Sequence, residues 1–184
     1  YFYRVRSENG SGNSTNSVAV NVLTWPSAPV ANESLSVTSL TFLANWNSVS
    51  TATGYYIDVS ASSNFSSMIA GFDNLLVSGT SASVTVPGEG TTYYYRVRAE
   101  NTSGLSASSN TVATLMRPAP PVVNAASGVG TNSFGASWFA SPGATGYYLD
   151  VSNNNFASFI TPYENFLLAG TTLTVNGLNP GTSY

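Results

Sequence analysis

The feature that most constrains the fold of this chain is an internal repeat that recurs after 92 positions. Residues 54–60 (GYYIDVS) return as residues 146–152 (GYYLDVS), and Trp46 returns as Trp138 with the same shift. Self-similarity at a fixed period is typical of chains in which each period forms one structural unit. The chain is therefore expected to contain similar units in tandem.

A second set of matches shows where the repeat is cut. Residues 93–98 (YYYRVR) match residues 1–6 (YFYRVR), and residues 181–184 (GTSY) match residues 90–93 (GTTY). Tyr1 and Tyr184 therefore hold the same place in the repeat. The matches predict the end of one repeat, one whole repeat and the beginning of a third, so that the chain is cut in mid-repeat.

Proline-rich joints mark the boundaries between these parts at residues 25–29 (WPSAP) and 117–121 (RPAPP). Proline fixes φ and lacks a backbone N–H, so such stretches end a strand and act as stiff spacers. We expect residues 1–25 to form the last two strands of a preceding or neighbouring-chain repeat. Residues 26–117 are expected to form a complete domain, and residues 118–184 the early strands of a further repeat without its last two.

Alternating apolar residues predict short strands within the complete repeat. Side chains with period-two spacing should point to one inward face: Leu40, Phe42, Ala44, Trp46, Tyr55, Ile57, Val59, Tyr93, Tyr95, Val97 and Ala99. No segment keeps a helical period for ten residues, so no helix longer than a turn is expected. Short strands separated by turn residues favour an all-β sandwich.

The order of motifs resembles the fibronectin type III family. The motifs are an early tryptophan, the Gly-Tyr-Tyr-hydrophobic-Asp-Val-Ser strand, residues 178–184 (LNPGTSY), a Tyr-Arg-Val-Arg strand and an Asn-x-x-Gly turn at residues 101–104. This resemblance covers essentially the whole chain. It implies tandem immunoglobulin-like β-sandwiches of a large secreted bacterial surface protein.

The resemblance also implies structural roles for four aromatic residues. Trp46 and Trp138 would lie in the cores, and Tyr93 and Tyr184 would each form the corner that ties a loop to the following strand. Residues 87–90 (PGEG) stand where the other repeat has residues 178–181 (LNPG). The corner at Tyr93 is therefore expected to be looser, or closed by other contacts.

Composition excludes several classes of function. The chain has no histidine, cysteine or lysine, and only 7% of its residues are charged, with a net charge of −3. The usual general base, thiolate nucleophile, zinc ligands and Schiff-base amine are all missing. Five arginines are too few for a nucleic-acid footprint, and no apolar run is long enough to span a membrane. The sequence therefore predicts a non-catalytic chain without a cofactor, a metal site, nucleic-acid binding or a membrane span.

Few polar residues remain as candidate contacts. Asp58 and Arg96 should face each other on the outward side of paired strands, as an ion pair worth about 0.2–1 kcal/mol. Asp150 repeats Asp58 and should meet Arg4 or its equivalent. The outward tyrosines Tyr56, Tyr94 and Tyr148 offer a surface for a glycan or a protein. The plainer interpretation, that these tyrosines cover neighbouring side chains, is favoured.

A repeat without its last two strands would expose a sheet edge, which invites pairing with another chain. Tyr1, Tyr3, Arg4 and Val5 are the residues expected to pair across such a joint, opposite Asp150. Two interpretations stay open: many covalently joined repeats, which we prefer, or separate subunits that donate strands to each other. The expected partners are copies of the chain itself, with glycans or other surface proteins as further candidates.

The expected function is structural. The main hypothesis is the repeating unit of an extracellular filament or stalk at a cell surface. The alternative is a spacer or binding module of a secreted adhesin or polysaccharide-degrading enzyme. Either function places the protein outside the cell, secreted or on its surface.

Overall fold

The computed structural model describes all 184 residues and contains fifteen β-strands. It contains no helix, as the absence of a helical period predicted. No helix with the length and apolar character needed to cross a membrane is found.

The chain divides into two compact units. The first comprises Tyr1–Val37, Thr41–Thr85 and Thr92–Thr114, and the second comprises Thr38–Leu40, Val86–Thr91 and Leu115–Tyr184. We call residues 1–24 the ribbon, residues 26–117 the complete sandwich and residues 118–184 the open sandwich.

The ribbon is a long antiparallel hairpin, made of two short pairs of strands, and its side chains are exposed. Its strands are β1 (Phe2–Tyr3), β2 (Glu8–Asn9), β3 (Gly12–Asn13) and β4 (Val20–Asn21). Strand β1 pairs with β4 and β2 pairs with β3. Every residue of the ribbon is exposed, including its apolar side chains.

The ribbon joins the complete sandwich through backbone carbonyls near its end. The Asn101 side-chain amide donates to the Thr24 carbonyl at 2.9 Å, and the Ser103 hydroxyl donates to the Leu23 carbonyl at 2.7 Å. These bonds use the Asn-x-x-Gly turn that the sequence predicted, since Asn101 Oδ1 also accepts the Ser103 and Gly104 N–H groups.

The complete sandwich contains seven strands: β5 (Thr41–Asn45), β6 (Gly54–Ser60), β7 (Leu75–Val77), β8 (Ser81–Thr85), β9 (Thr92–Asn101), β10 (Gly104–Leu105) and β11 (Val112–Leu115). Strands β5 and β8 pair, and Ala31 and Leu35 bridge to the other edge of β5 at Trp46 and Leu43. The second sheet runs β7-β6-β9, with β10 and β11 both paired to β9.

The core of the complete sandwich lies between these two sheets. Alternate residues of β9 are buried, and the Phe42 ring of β5 lies 6.0 Å from the Tyr95 ring of β9. The inward faces predicted from period-two spacing are confirmed by burial at Phe42, Ala44, Trp46, Tyr55, Ile57, Val59, Tyr93, Tyr95, Val97 and Ala99. Leu40 is the exception, since it stays exposed before β5 begins.

The open sandwich repeats part of this plan with β12 (Ser133–Ser137), β13 (Tyr147–Leu149), β14 (Phe166–Leu168) and β15 (Thr172–Asn176). Strand β12 pairs with β15 as β5 pairs with β8, and β13 pairs with β14 as β6 pairs with β7. A small core contains Val151, Tyr163, Val175 and Leu178.

Tyr95 ties β9 to the opposite sheet of the complete sandwich. Its hydroxyl donates to the Asn32 carbonyl, lies 3.0 Å from the Asn45 carbonyl and accepts the Asn45 N–H at 3.3 Å. Burial raises the pKa of the Tyr95 hydroxyl, so the group stays protonated and able to donate.

Replacing Tyr95 with phenylalanine should lower the free energy of unfolding by about 2 kcal/mol, because the partly buried Asn32 carbonyl loses the hydroxyl that donates to it. Urea denaturation followed by tryptophan fluorescence measures this loss. Tyr94→Phe is the matched control, since Tyr94 is half-buried on the opposite face of the same strand. Equal stability of the two variants would contradict the role given to the Tyr95 hydroxyl.

Candidate functional site

The most distinctive polar site is a carboxylate held by two arginines on the outer face of the second sheet. Strand β6 pairs with β9 over seven residues, and this register places Asp58 opposite Arg96. Arg96 Nε donates to Asp58 Oδ2 at 3.0 Å, and Arg98 Nη2 lies 3.4 Å from the same oxygen. The predicted ion pair is therefore present, with a second arginine that the sequence analysis did not assign to it.

Two loop residues complete this site. The Asn74 N–H donates to Asp58 Oδ1 at 2.9 Å, and Arg98 Nη2 donates to Asn74 Oδ1 at 2.7 Å. The Phe65 ring lies 4.1 Å from Arg96 Cζ, which is cation–π distance. We call Asp58, Phe65, Asn74, Arg96 and Arg98 the arginine clamp.

The clamp buries its carboxylate although Asp58 lies on the outer face of the sheet. Asp58 is only 3% exposed, whereas the arginine side chains keep 34% and 26% of their surface in solvent. The expectation of an ordinary exposed pair was therefore wrong in this respect, because the loops carrying Phe65 and Asn74 fold over the strand. A carboxylate buried in this way depends on its partners more strongly than a surface one does.

Both loop residues have a left-handed backbone: φ is 60° at Phe65 and 58° at Asn74. Non-glycine residues rarely adopt this conformation. Phe156 and Asn165 adopt it again in the open sandwich, with φ of 63° and 49°. The two loops are therefore built alike in both sandwiches.

In the open sandwich the same residues surround Asp150 without any arginine. The Asn165 N–H donates to Asp150 Oδ1 at 2.7 Å, which repeats the bond between Asn74 and Asp58. Asp150 is exposed, and Phe156 keeps 61% of its surface in solvent. Half of the clamp is thus in place around Asp150.

The two predicted core tryptophans hold the same position in each sandwich. Trp46 and Trp138 are buried, and their rings lie 5.7 Å from Tyr55 and 5.6 Å from Tyr147, respectively. Each tyrosine hydroxyl accepts a loop N–H, from Val49 at 2.8 Å and from Ser141 at 2.9 Å. These tyrosine–loop bonds were not anticipated from the sequence.

The two predicted corner tyrosines lie in different surroundings. The Tyr184 hydroxyl accepts the Asn179 N–H at 2.7 Å, which ties Tyr184 to the loop before it. Tyr184 is nevertheless 38% exposed. Tyr93 is buried on the inward face of β9. In the complete sandwich the tie from this strand to the opposite sheet is made by Tyr95, two residues later.

The residues predicted to pair across a joint are all accessible. Tyr1, Tyr3, Arg4 and Val5 are exposed in the ribbon, and Asp150 is exposed in the open sandwich. Among the predicted surface tyrosines, Tyr56 and Tyr94 are half-buried, and the Tyr56 hydroxyl lies 3.4 Å from Glu100 Oε1. Tyr148 is 68% exposed.

The geometry offers binding chemistry rather than reaction chemistry. No group of three or more potential metal ligands is found among the 184 residues. Asp58 has both oxygens engaged, by Asn74 and the arginines. The arginine clamp holds a guanidinium group between a carboxylate and an aromatic ring.

The strand order decides the kind of fold. In the complete sandwich, the segment containing Ala31 and Leu35 lies beside β5 and β8 in one sheet, and β7, β6, β9 and the β10–β11 segment form the other. Three strands facing four, with antiparallel neighbours, form an all-β sandwich, which is the fold class that the sequence predicted. The complete sandwich has a fibronectin type III-like fold.

Comparisons with known proteins found a sequence relative and several solved structures. The chain is 34% identical over 180 residues to chitinase A1 of Niallia circulans, covering 88% of this chain and 23% of the chitinase. It thus spans about a quarter of that relative. No protein-family model matches the chain.

Solved structures with related folds include domains from titin, with 21% identity, a TM-score of 0.44 and coverage of 63% of this chain and 40% of that one. They also include FN3tt, with 22% identity, a TM-score of 0.42 and coverage of 52% of this chain and 98% of that one. The assignment of fold rests on the strand order and register.

Asp58→Asn should lower the free energy of unfolding by about 2 kcal/mol, because two arginines lose the charge that they share, in a site that is only partly open to solvent. Chemical denaturation measures the change. Asp73→Asn is the control: it removes an exposed carboxylate next to the clamp in the same fibronectin type III-like repeat. A loss no greater than that of the control would show that the clamp contributes nothing to stability.

Proposed function

We propose that the chain is a non-catalytic extracellular module that acts as a spacer in a secreted polysaccharide-degrading protein. The observation that carries this proposal is the likeness to chitinase A1 along 88% of the chain. The matched stretch makes up only 23% of that enzyme, as expected of an accessory segment.

The side chains of the module support a passive role. The chain lacks histidine, cysteine and lysine, and no group of three or more carboxylates that could hold a metal ion is found in it. Glycoside hydrolysis requires two carboxyl groups facing each other across about 5–9.5 Å of a cleft. The repeated aspartate is instead bound to arginines in the complete sandwich.

A second candidate function is the repeating unit of a surface filament or stalk. It is favoured by the recurrence of one unit with stiff proline joints at residues 25–29 and 117–121. Negative-stain electron microscopy of the purified chain distinguishes the two functions. Long regular filaments would support the structural polymer and contradict the spacer function.

Incubation with insoluble chitin tests the spacer directly. We expect no release of reducing sugar, because the repeated aspartate is held by arginines in the complete sandwich. A spacer should also leave the amount of chain in the supernatant unchanged. Sugar release would overturn the non-catalytic assignment. Depletion that Tyr148→Ala abolishes would instead make the chain a binding module.

A further inference from the structure

The segment that leads into the complete sandwich is bound to one of its turns. Within the first compact unit, Asn101 and Ser103 of this turn donate to the Thr24 and Leu23 carbonyls at 2.9 Å and 2.7 Å. Asn101 is only 4% exposed. A buried amide is costly unless its groups are hydrogen-bonded, and here the incoming segment accepts the bond that its N–H group offers.

The two ends of the Asn101 side chain have separate tasks. Its Oδ1 accepts the N–H groups of Ser103 and Gly104 at 2.9 Å and 3.2 Å, which shapes the turn. Its Nδ2 binds the Thr24 carbonyl. One amide group therefore couples the shape of the turn to the segment that lies on it.

Trp25 covers the glycine of the same turn. A β-carbon at Gly104 would lie 2.7 Å from Trp25 Nε1 and 3.1 Å from Trp25 Cδ1, which is too close for non-bonded atoms. The indole can lie there only because residue 104 has no side chain. Gly104 also has a φ of 143°, in the region that favours glycine. Trp25 keeps 69% of its surface in solvent, so burial in a core does not explain its position.

The proline-rich joint that follows Trp25 is held along its length. Pro26 and Pro29 are buried. Ala31 exchanges two hydrogen bonds with the Asn110 side chain, both at 2.9 Å. Proline fixes its own φ and restricts the residue before it. Residues 25–30 therefore have little backbone freedom between the bonds at Thr24 and those at Ala31.

The same kind of turn recurs within the ribbon. Asn9 Oδ1 accepts the Ser11 N–H at 2.9 Å, as Asn101 Oδ1 accepts the Ser103 N–H. Gly12 has a φ of 128°, close to that of Gly104. The turn is thus part of the repeated unit.

From these observations we propose that the turn at residues 101–104 fixes the direction in which the preceding segment leaves the complete sandwich. Its contacts make the joint a fixed connection and not a flexible linker. We call the residues that form them the joint latch: Leu23, Thr24, Trp25, Asn101, Ser103 and Gly104. The latch goes beyond the proposed spacer function and does not depend on it, because a filament repeat could use the same joint.

The distance between two spin labels tests the latch in the full chain. The chain has no cysteine, so cysteines introduced at the exposed Val18 and Ser83 are the only labelling sites. Double electron–electron resonance of V18C/S83C should give one narrow distance distribution. G104A should widen this distribution about twofold or more, since the added β-carbon displaces the indole and leaves a more flexible linker.

Two further variants test the amide and the indole separately. N101D keeps the oxygen that shapes the turn but removes the donor to the Thr24 carbonyl. W25A removes an exposed ring and leaves every residue of the turn in place, so circular dichroism should show it folded. Both variants should widen the distance distribution in the same direction as G104A.

G71A is the matched control for backbone strain. Gly71 has a φ of 82°, but a β-carbon there would meet nothing within 4 Å. G71A should therefore keep the narrow distribution. A wild-type distribution as wide as that of G104A, or G104A and W25A distributions as narrow as that of the wild type, would overturn the proposal. Chitin binding or sugar release would bear on the spacer function alone.

Discussion

The pairing of β6 with β9 is the interaction on which the rest of the complete sandwich depends. It brings Asp58 under Arg96 and Arg98 on the outer face, and it turns Tyr95 and Val97 into the core on the inner face. One ladder of hydrogen bonds therefore fixes both the buried carboxylate and the link to the opposite sheet. Side chains alternate between the two faces of a strand, so a slip of one residue in this pairing would move every side chain to the opposite face.

The chain also contains each half of this pairing without the other. The ribbon carries the Tyr-x-Tyr-Arg-Val-Arg strand with its apolar side chains in solvent, and the open sandwich carries the aspartate strand with an exposed carboxylate. The loops around Asp150 nevertheless keep the conformation seen around Asp58. The surroundings of the aspartate are thus shaped by their own local sequence, and strand pairing adds burial to a site that is already formed.

Much of this could be predicted from the sequence, because alternation and repetition are local signals. They identified the inward residues of β6 and β9 and the partnership of Asp58 with Arg96. They did not identify Phe65, Asn74 or the hydroxyl bonds of Tyr95, since these contacts depend on how loops close in three dimensions. The burial of Asp58 was missed for the same reason: facing outward on a strand does not reveal a loop folded above it.

Native-state amide hydrogen exchange in residues 26–117 is the decisive measurement. Strand β6 is paired on both sides, by β7 and β9. The hydrogen-bonded amides between β6 and β9 should therefore open only with the whole sandwich and exchange more slowly than any others in these residues. Faster exchange between β6 and β9 than between β5 and β8 would contradict the central place given to this pairing.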